Sequence, residues 1–250
     1  PRSTLFPYTT LFRSGCYGFG EGGRYAGKPA LDDLIQGSVA LPSLVGRVTG
    51  EPRYLPTNLC DRTTGLTAVY SVIAALYARE KTGRGQTIEV PMFETMTQFV
   101  LSDHMFGKTF DPPLADAGYV RLLAKDRRPL RTRDGHICVL IYIDRHWKNF
   151  CEMLGRRDML EDPRFLRMSD RTRNVDALYA FVAEVIATRT TAEWMEALAR
   201  ADIPVAPMHT PDSLMDDPHL ADVGMFEWIE HPSEGRIRQM NVPGSWSDTP

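Results

Sequence analysis

The segment from Pro56 to Pro91 constrains the fold more strongly than any other part of the sequence. Apolar residues recur there at helical spacing with small residues between them, which predicts a buried helix whose neighbours approach closely. The recurring residues are Leu66, Val69, Val72, Ile73, Leu76 and Tyr77. Gly83 and Gly85 follow a cationic last turn, as at many helix C-termini, and the run from Thr87 to Pro91 is predicted to be a strand. Helix, glycine turn and strand in this order predict an α/β layer.

Asp61 stands at the start of this helix, which contains no other acidic residue until Glu80. Asp is a common helix N-cap and the helix dipole favours a negative charge there, so a capping role is the first interpretation to consider. The neighbouring Cys60 could be a nucleophile, but no histidine in the segment is placed to activate it. Spacing alone therefore makes Asp61 a candidate reacting group with a structural alternative.

Composition and charge narrow the classes of function. The chain has 250 residues, of which 43% are hydrophobic and 24% are charged, as in globular proteins with one large or two small cores. Lys and Arg number 29 against 32 Asp and Glu, so no basic excess indicates nucleic acid or an anionic membrane surface as a partner. No apolar run is long enough to span a bilayer. The four cysteines form no CxxC pair and the six histidines no HExxH motif, so we expect no metal site, and reduced thiols in a cytoplasmic protein.

The run from Gly15 to Gly23, GCYGFGEGG, is dense in glycine, which lets a backbone turn sharply or approach a ligand closely. It lacks the pattern of a phosphate-binding P-loop, and no clear strand precedes it, so a dinucleotide-binding fingerprint is weakly supported. A plain surface loop is the alternative to a ligand-binding loop.

Two strings, NLCDRTTGL and KTGRGQTIEVPMFE, resemble the family III CoA-transferases, the group that includes formyl-CoA transferase and carnitine CoA-transferase. Further similar runs are GFGEGGRYAGKPALDD, RDGHICVLIYIDRHWKNFCEMLG, DPRF, TRTTAEW, IPVAP and DDPHL. The resemblance extends from about Gly15 to the last residue. It implies an α/β fold with a partial Rossmann-like large domain, a small α+β domain and an interlocked homodimer.

The resemblance also implies the chemistry. The aspartate that leads the helix is the nucleophile in that family, and it corresponds to Asp61 here. The protein is then expected to move CoA from an acyl-CoA thioester to a carboxylic acid through an aspartyl-CoA thioester. Gly18, Gly20, Gly22 and Gly23 would line the substrate site. The CoA thioester is a substrate, so we expect no tightly bound cofactor.

Two alternatives stay open. An acyl-CoA racemase of the same fold needs proton carriers on both faces of the carbon next to the thioester, and Leu31 stands where such racemases have a histidine. The second alternative is an inactive fragment, because no counterpart of the family's N-terminal strand precedes Gly15 and the chain is expected to be N-terminally truncated. The upstream reading frame would decide between a fragment and an enzyme.

The chain is predicted to contain two domains. Residues 1–14, PRSTLFPYTTLFRS, repeat Thr-Leu-Phe and resemble neither a native element nor a signal peptide, so we interpret them as a non-native scar. The predicted plan is then a part of the large α/β domain at 15–108, a linker at 109–129, a small α+β domain at 130–202 and a return to the large domain at 203–250.

Local patterns predict the remaining elements. Helices are expected at 31–41, 92–107, 145–154, 170–188 and 191–200 and in the DPHL run, with an irregular loop at 42–56. A hairpin with a two-residue turn at Asp134-Gly135 is expected near 130–144, and extended runs at 203–210, 224–231 and 235–243. Asp144, Asp170 and Thr190 are the predicted helix caps.

Overall fold

The computed structural model describes residues 13–141 and 143–248, and it has the predicted α/β content. Residues 1–12 of the predicted non-native segment lie outside the described residues. The chain divides into two compact units, 1–127 and 128–250. The division falls inside the predicted linker at 109–129, while the full domain plan stays a prediction.

The first unit contains the predicted helix, glycine turn and strand. Its elements are β1 (Arg13–Tyr17), α1 (Asp32–Ser38), α2 (Leu41–Thr49), α3 (Leu59–Thr82), β2 (Thr87–Pro91), α4 (Met92–His104) and a 3₁₀ turn (Phe106–Thr109). Gly83 ends α3 with φ 68°, where its N–H donates to the Arg79 carbonyl at 2.8 Å. Strands β1 and β2 pair in parallel, with Arg13 opposite Thr87. The central prediction from the sequence is therefore confirmed.

Helix α2 lies where an irregular loop was expected at 42–56, so that prediction was wrong for 42–49. Pro42 falls in the first turn, where the missing N–H of a proline costs nothing. Gly50 ends the helix with φ 93°. The Gly- and Pro-rich composition of the segment thus marks the two ends of a short helix instead of a continuous loop.

The exposure of α3 corrects a second expectation, because most of this helix is not buried. Only Cys60, Thr64 and Ala75 are buried along it. The face carrying Leu66, Val69, Tyr70, Ile73 and Tyr77 is 56–69% exposed. The helix packs on α1, α4 and the two strands through its other side. Periodicity identified an apolar face correctly, but it does not say what covers that face.

The second unit is rich in helices. Its elements are β3 (Leu130–Arg131), β4 (His136–Val139), α5 (Asp144–Leu154), α6 (Arg157–Glu161), α7 (Met168–Arg173), α8 (Val175–Ile186), α9 (Thr191–Arg200), β5 (Val205–Pro207), α10 (Pro211–Met215), α11 (Pro218–Asp222), β6 (Phe226–His231) and β7 (Gly235–Met240). Strands β3, β4 and β5 form one antiparallel sheet, and β6 and β7 form a separate hairpin. The predicted helix in the DPHL run and the three extended runs are therefore confirmed. Strand β5 pairs with β4 although it lies in the segment 203–250 that was expected to return to the large domain.

The turn between β3 and β4 differs from the prediction. Arg131 pairs with His136, so the connection has four residues, 132–135, and not two. The Asp134 carboxylate accepts from the Thr191 N–H at 2.7 Å, at the start of α9. Local hydrogen bonds between Thr132 and Gly135 and this distant contact, which a local turn pattern does not contain, together hold the loop.

The helix predicted at 170–188 is two helices, because α7 ends and α8 begins at Asn174. Two predicted caps were wrong. Asp170 lies inside the first turn of α7 and pairs with Arg173, and Asp144 is the first residue of α5 and pairs with the buried Arg171. Thr190 caps α9 as predicted, and it forms a complete capping box with Glu193.

Candidate active site

The first turn of α3 presents Asp61 to solvent. The N-cap of the helix is Asn58, whose side chain accepts no capping hydrogen bond, and Asp61 is the third helical residue. The carboxylate of Asp61 has no ion pair within 13–141 and 143–248. Asp61 is therefore not the N-cap of α3, and its side chain stands free at the positive end of a 24-residue helix.

A buried polar pair on α1 lies directly behind this turn. The Asp61 backbone N–H donates to Asp32 Oδ2 at 3.0 Å, and Gln36 Nε2 donates to Asp32 Oδ1 at 2.6 Å. Gln36 is fully buried and Asp32 is 8% exposed. Neither residue stands out in the sequence, because an i, i+4 spacing on a short helix is common and Asp61, the partner of Asp32, is 29 positions away.

Gln36 also holds the loop that leads into α3. Its Oε1 accepts from the Leu55 N–H at 2.9 Å, and its Nε2 lies 3.4 Å from the Leu55 carbonyl and 3.3 Å from the Thr57 carbonyl. The side chain thus pairs all its polar atoms with backbone groups or with Asp32, as a buried amide requires. The approach of the chain to Asp61 is fixed by this one side chain.

Cys60 is fully buried beside Asp61. Burial, with the negative charges of Asp32, Asp61 and Asp33, raises the pKa of the Cys60 thiol to about 12. The thiol is therefore protonated at neutral pH, and the structure gives Cys60 no features of a nucleophile. The same charges place three carboxylates close to the start of α3.

The glycine run is held in place by two glutamates. The Gly20 N–H donates to Glu94 Oε1 at 3.0 Å, and the Glu21 N–H donates to Glu89 Oε1 at 2.6 Å. Glu89 lies on β2 and Glu94 in the first turn of α4. These two glutamates were not singled out from the sequence, since they bind backbone groups about 70 residues away.

The four candidate glycines differ in what a side chain would meet. A Cβ at Gly18 would lie 2.1 Å from the Ala30 Cβ, and one at Gly20 would lie 2.8 Å from Glu94 Oε1. A Cβ at Gly22 would meet nothing within 4 Å, and one at Gly23 would meet only the Gly20 carbonyl at 3.4 Å. Close packing therefore requires glycine at position 18, whereas at position 20 the flexible Glu94 side chain could shift to make room. The substrate role of all four glycines stays a prediction.

The described part of the chain contains neither a metal-binding cluster nor a membrane-spanning helix. Among residues 13–141 and 143–248, no group of three His, Cys, Asp or Glu side chains is arranged to hold a metal ion. Within the same ranges, every helix is too short or too polar to cross a membrane.

The amino-acid sequence matches a family of known proteins. The family model described as CoA-transferase family III matches residues 11–250. The chain belongs to that family. The match includes α3, the Asp32 and Gln36 pair and the whole of the second unit.

Relatives within family III are longer than this chain. The "Probable fatty acyl-CoA transferase Rv3272" of Mycobacterium tuberculosis is 25% identical over 214 residues, 82% of this chain and 54% of that protein. The acetyl-CoA:oxalate CoA-transferase of Acetobacter aceti is 29% identical over 192 residues, 76% of this chain and 49% of that protein. The chain thus spans about half the length of these curated relatives.

A solved structure shares the fold. The orthorhombic crystal form of Rv3272 from M. tuberculosis superposes with a TM-score of 0.77 at 22% identity and covers 96% of this chain and 64% of that one. The fold of the described residues is therefore the family III fold over this part of its length.

Proposed function

We propose that the protein carries the nucleophile of a CoA-transferase and moves CoA from an acyl-CoA thioester to a carboxylic acid through an aspartyl-CoA thioester on Asp61. The observation that carries the proposal is the position of Asp61, exposed in the first turn of α3 within a chain that matches family III. Family membership supplies the class of reaction, and the exposed carboxylate supplies a group that can react.

Four steps account for the transfer. An Asp61 oxygen attacks the thioester carbon, the C–S bond breaks, and CoA leaves as the thiolate with an acyl-aspartyl anhydride behind it. The thiolate attacks the aspartyl carbon, the donor acid leaves as its carboxylate, and CoA is now bound to Asp61. The acceptor carboxylate attacks that thioester and again releases the thiolate. The thiolate then attacks the acceptor carbon, which gives the new acyl-CoA and restores the Asp61 carboxylate.

The start of α3 and the glycine run supply the polar groups that this chemistry needs. The positive end of the helix stabilises the Asp61 carboxylate. Backbone N–H groups of the glycine run are donors for the tetrahedral oxyanions, and closure of the run over the site would exclude water from the anhydride. In this structure the Gly20 N–H donates to Glu94 and the Glu21 N–H donates to Glu89. Each N–H group therefore has to break its hydrogen bond to the glutamate before it can donate to the reacting oxygen.

The proposal also covers the domain organisation and the oligomeric state. We assign the first unit to a partial Rossmann-like large domain and residues 130–202 to the small α+β domain of an interlocked cytoplasmic homodimer, with 203–250 as the return to the large domain and with no tightly bound cofactor. The relative named as an acetyl-CoA:oxalate CoA-transferase suggests acetyl-CoA as the first donor and oxalate as the first acceptor to test.

Adduct trapping tests the proposal. The protein is incubated with acetyl-CoA or succinyl-CoA, trapped with hydroxylamine or borohydride, and digested, and the peptide containing Asp61 is analysed by mass spectrometry. We expect a modified Asp61 in the wild type and none in Asp61→Asn. Asp33→Asn, which removes a nearby exposed carboxylate, is the matched control and should retain the adduct.

Two results would contradict the proposal in different ways. If neither this chain nor one extended upstream to the length of its relatives forms the adduct, Asp61 is not the nucleophile. If the chain instead exchanges the proton on the carbon next to the thioester in heavy water, the racemase alternative is favoured, although Leu31 offers no proton carrier there.

A further inference from the structure

The N–H groups at the start of α3 have unusual acceptors. A helix leaves its first four N–H groups without helical partners, and a side chain at the N-cap usually accepts from one of them. Asn58 does not do so, and the Asp61 N–H is bound instead by Asp32 of a different helix. Among the described residues, Asp32 is the acceptor for this N–H. The backbone of the proposed nucleophile is therefore held from outside its own helix.

The Asp32 carboxylate uses both oxygens for this purpose. Oδ2 accepts from Asp61, and Oδ1 accepts from Gln36, which is itself fixed by the loop before α3. Gln36 and the Asp61 N–H both donate, so the side chain at position 32 needs a hydrogen-bond acceptor at both of its terminal atoms. An asparagine offers one acceptor and one NH₂ group, and would place a donor against a donor at one end. The geometry is specific to a carboxylate.

The restraint acts on the backbone from which the Asp61 side chain extends. With the N–H bound, rotation of the first turn is restricted, and the carboxylate leaves the helix on the exposed side. A displacement of about 1 Å in a reacting group can reduce a rate by about 100-fold, so such a restraint has a kinetic consequence. Asp32 itself is buried, and both of its carboxylate oxygens are occupied by these two hydrogen bonds.

We propose that Asp32, oriented by Gln36, is a positioning residue that sets the attack geometry of Asp61 through its backbone N–H. This inference rests on the proposed function, since it assigns Asp32 a role in the reaction of Asp61. The two acids of the site then have different roles, because Asp61 forms the bond to the substrate and Asp32 fixes where that bond forms.

The test compares Asp32→Asn with Asp33→Asn in the whole chain. Asp33 follows Asp32 on α1, is exposed and lies near Cys60, so its substitution makes the same change in charge without removing the restraint. Hydrogen exchange of the Asp61 amide measures the restraint directly. Two kinetic values measure the effect of the restraint on the reaction. They are the rate of adduct formation per folded molecule at saturating acetyl-CoA and the half-saturating concentration of acetyl-CoA.

For Asp32→Asn we expect exchange of the Asp61 amide to accelerate about 10-fold to 100-fold, because a hydrogen bond to a charged group is lost. The saturated adduct rate should fall by about 10-fold or more, while half-saturation changes by less than about twofold. Asp33→Asn should leave all three values within about twofold. Gln36→Met, which removes the donor to Asp32 at similar length, should give an intermediate loss of adduct rate.

Each outcome decides a separate point. Unchanged exchange in both Asp32→Asn and Asp32→Ala, which has no acceptor for the Asp61 N–H, would overturn the restraint. Faster exchange with an unchanged saturated rate would show that Asp32 is only a helix cap and would overturn the positioning role. If the wild type forms no adduct even when it is extended upstream, the proposed function fails, and the exchange measurement alone then decides whether Asp32 restrains Asp61.

Discussion

The two units bury apolar surface in different ways. In the second unit, a continuous core surrounds Trp194, Phe150 and Phe165, each at most 1% exposed. In the first unit the corresponding cluster is five side chains around Ile35 and Met96, while the longest helix exposes a row of large apolar residues. A sequence can therefore specify a helix completely and still leave its apolar face to be covered by something else. The core between Leu130 and Val205 contains its own partner surfaces, and the apolar face of α3 does not.

Truncation of Trp194 tests the self-contained core and should have the largest effect. The side chain is fully buried and its Nε1–H donates to the Ile186 carbonyl at 2.7 Å. Trp194→Ala is expected to reduce the free energy of unfolding of the second unit by about 3–5 kcal/mol, through the cavity and the lost hydrogen bond. Urea titration measures it, with the buried thiol of Cys151 as the probe of this unit and that of Cys60 as the probe of the other.

Trp228 is the matched control, because it is 55% exposed on β6. Trp228→Ala should cost less than about 1 kcal/mol. Equal losses for the two tryptophans would mean that the second unit does not depend on its core. Simultaneous exposure of Cys60 and Cys151 would mean that the two units unfold together.

Helix caps give a second, smaller contrast between the units. Thr190 accepts from the Glu193 N–H in the capping box of α9, whereas Asn58 makes no side-chain cap at α3. Thr190→Ala should therefore cost about 1 kcal/mol. Asn58→Ala should change stability by less than about 0.5 kcal/mol, measured with the same thiol probes. A larger loss for Asn58 would contradict the cap assignment at α3.

The pH dependence of stability should also differ between the units. In the first unit, burial lowers the pKa of His104 below its usual 6.5, and its Nδ1 accepts from the Tyr119 N–H at 3.2 Å. The unfolded chain binds the proton more readily, so this contribution is complete above pH 6.5 and is lost as the pH falls below it. Urea midpoints between pH 7 and 5 measure the loss, and His104→Gln should remove that slope.

In the second unit, several carboxylates have lowered pKa values. The Thr190 N–H lowers the pKa of Glu193 below 4.5, and the Thr191 N–H lowers that of Asp134 below 3.8. Their contribution is present above these ordinary values and is lost as the pH falls through the lower folded-state pKa. The probe at Cys151 should therefore respond at lower pH than the probe at Cys60. The reverse order would contradict the assignment.

The smallest change in stability is expected on the exposed face of α3. Val69 and Ile73 are 56% and 60% exposed, so Val69→Ser with Ile73→Ser should alter the free energy of unfolding by less than about 0.5 kcal/mol. Removal of apolar surface should also reduce self-association, which sedimentation measures. A loss comparable to that of Trp194→Ala would mean that this face is covered in the isolated chain.

The sequence predicted the elements whose determinants are local. The spacing of apolar residues and Gly83 located α3, and Thr190 located the start of α9. Helix α2 was missed because Pro42 and Gly50 suggest a loop when the residues between them are ignored. Local patterns therefore predicted the helices and strands more reliably than they predicted which residues pack around them.

The candidate site shows the same limit. Asp61 could be selected from its surrounding string, but the Asp32 and Gln36 contacts join residues 19 to 29 positions apart. The glutamates that hold the glycine run are farther still from their partners in sequence. Only the fold brings such groups together, so no pattern within one element indicates them.

The contact between Asp134 and α9 has a consequence for how the second unit is made. The loop between β3 and β4 is completed by Thr191, which lies 57 positions later in the chain. During synthesis the hairpin emerges from the ribosome well before the helix that holds its loop, because chains are made from the N-terminus. The hydrogen bonds from Thr191 to Asp134 can therefore form only after α5 to α8 and the start of α9 have been translated. Premature termination inside α8 would leave the loop with only its local hydrogen bonds between Thr132, Asp134 and Gly135.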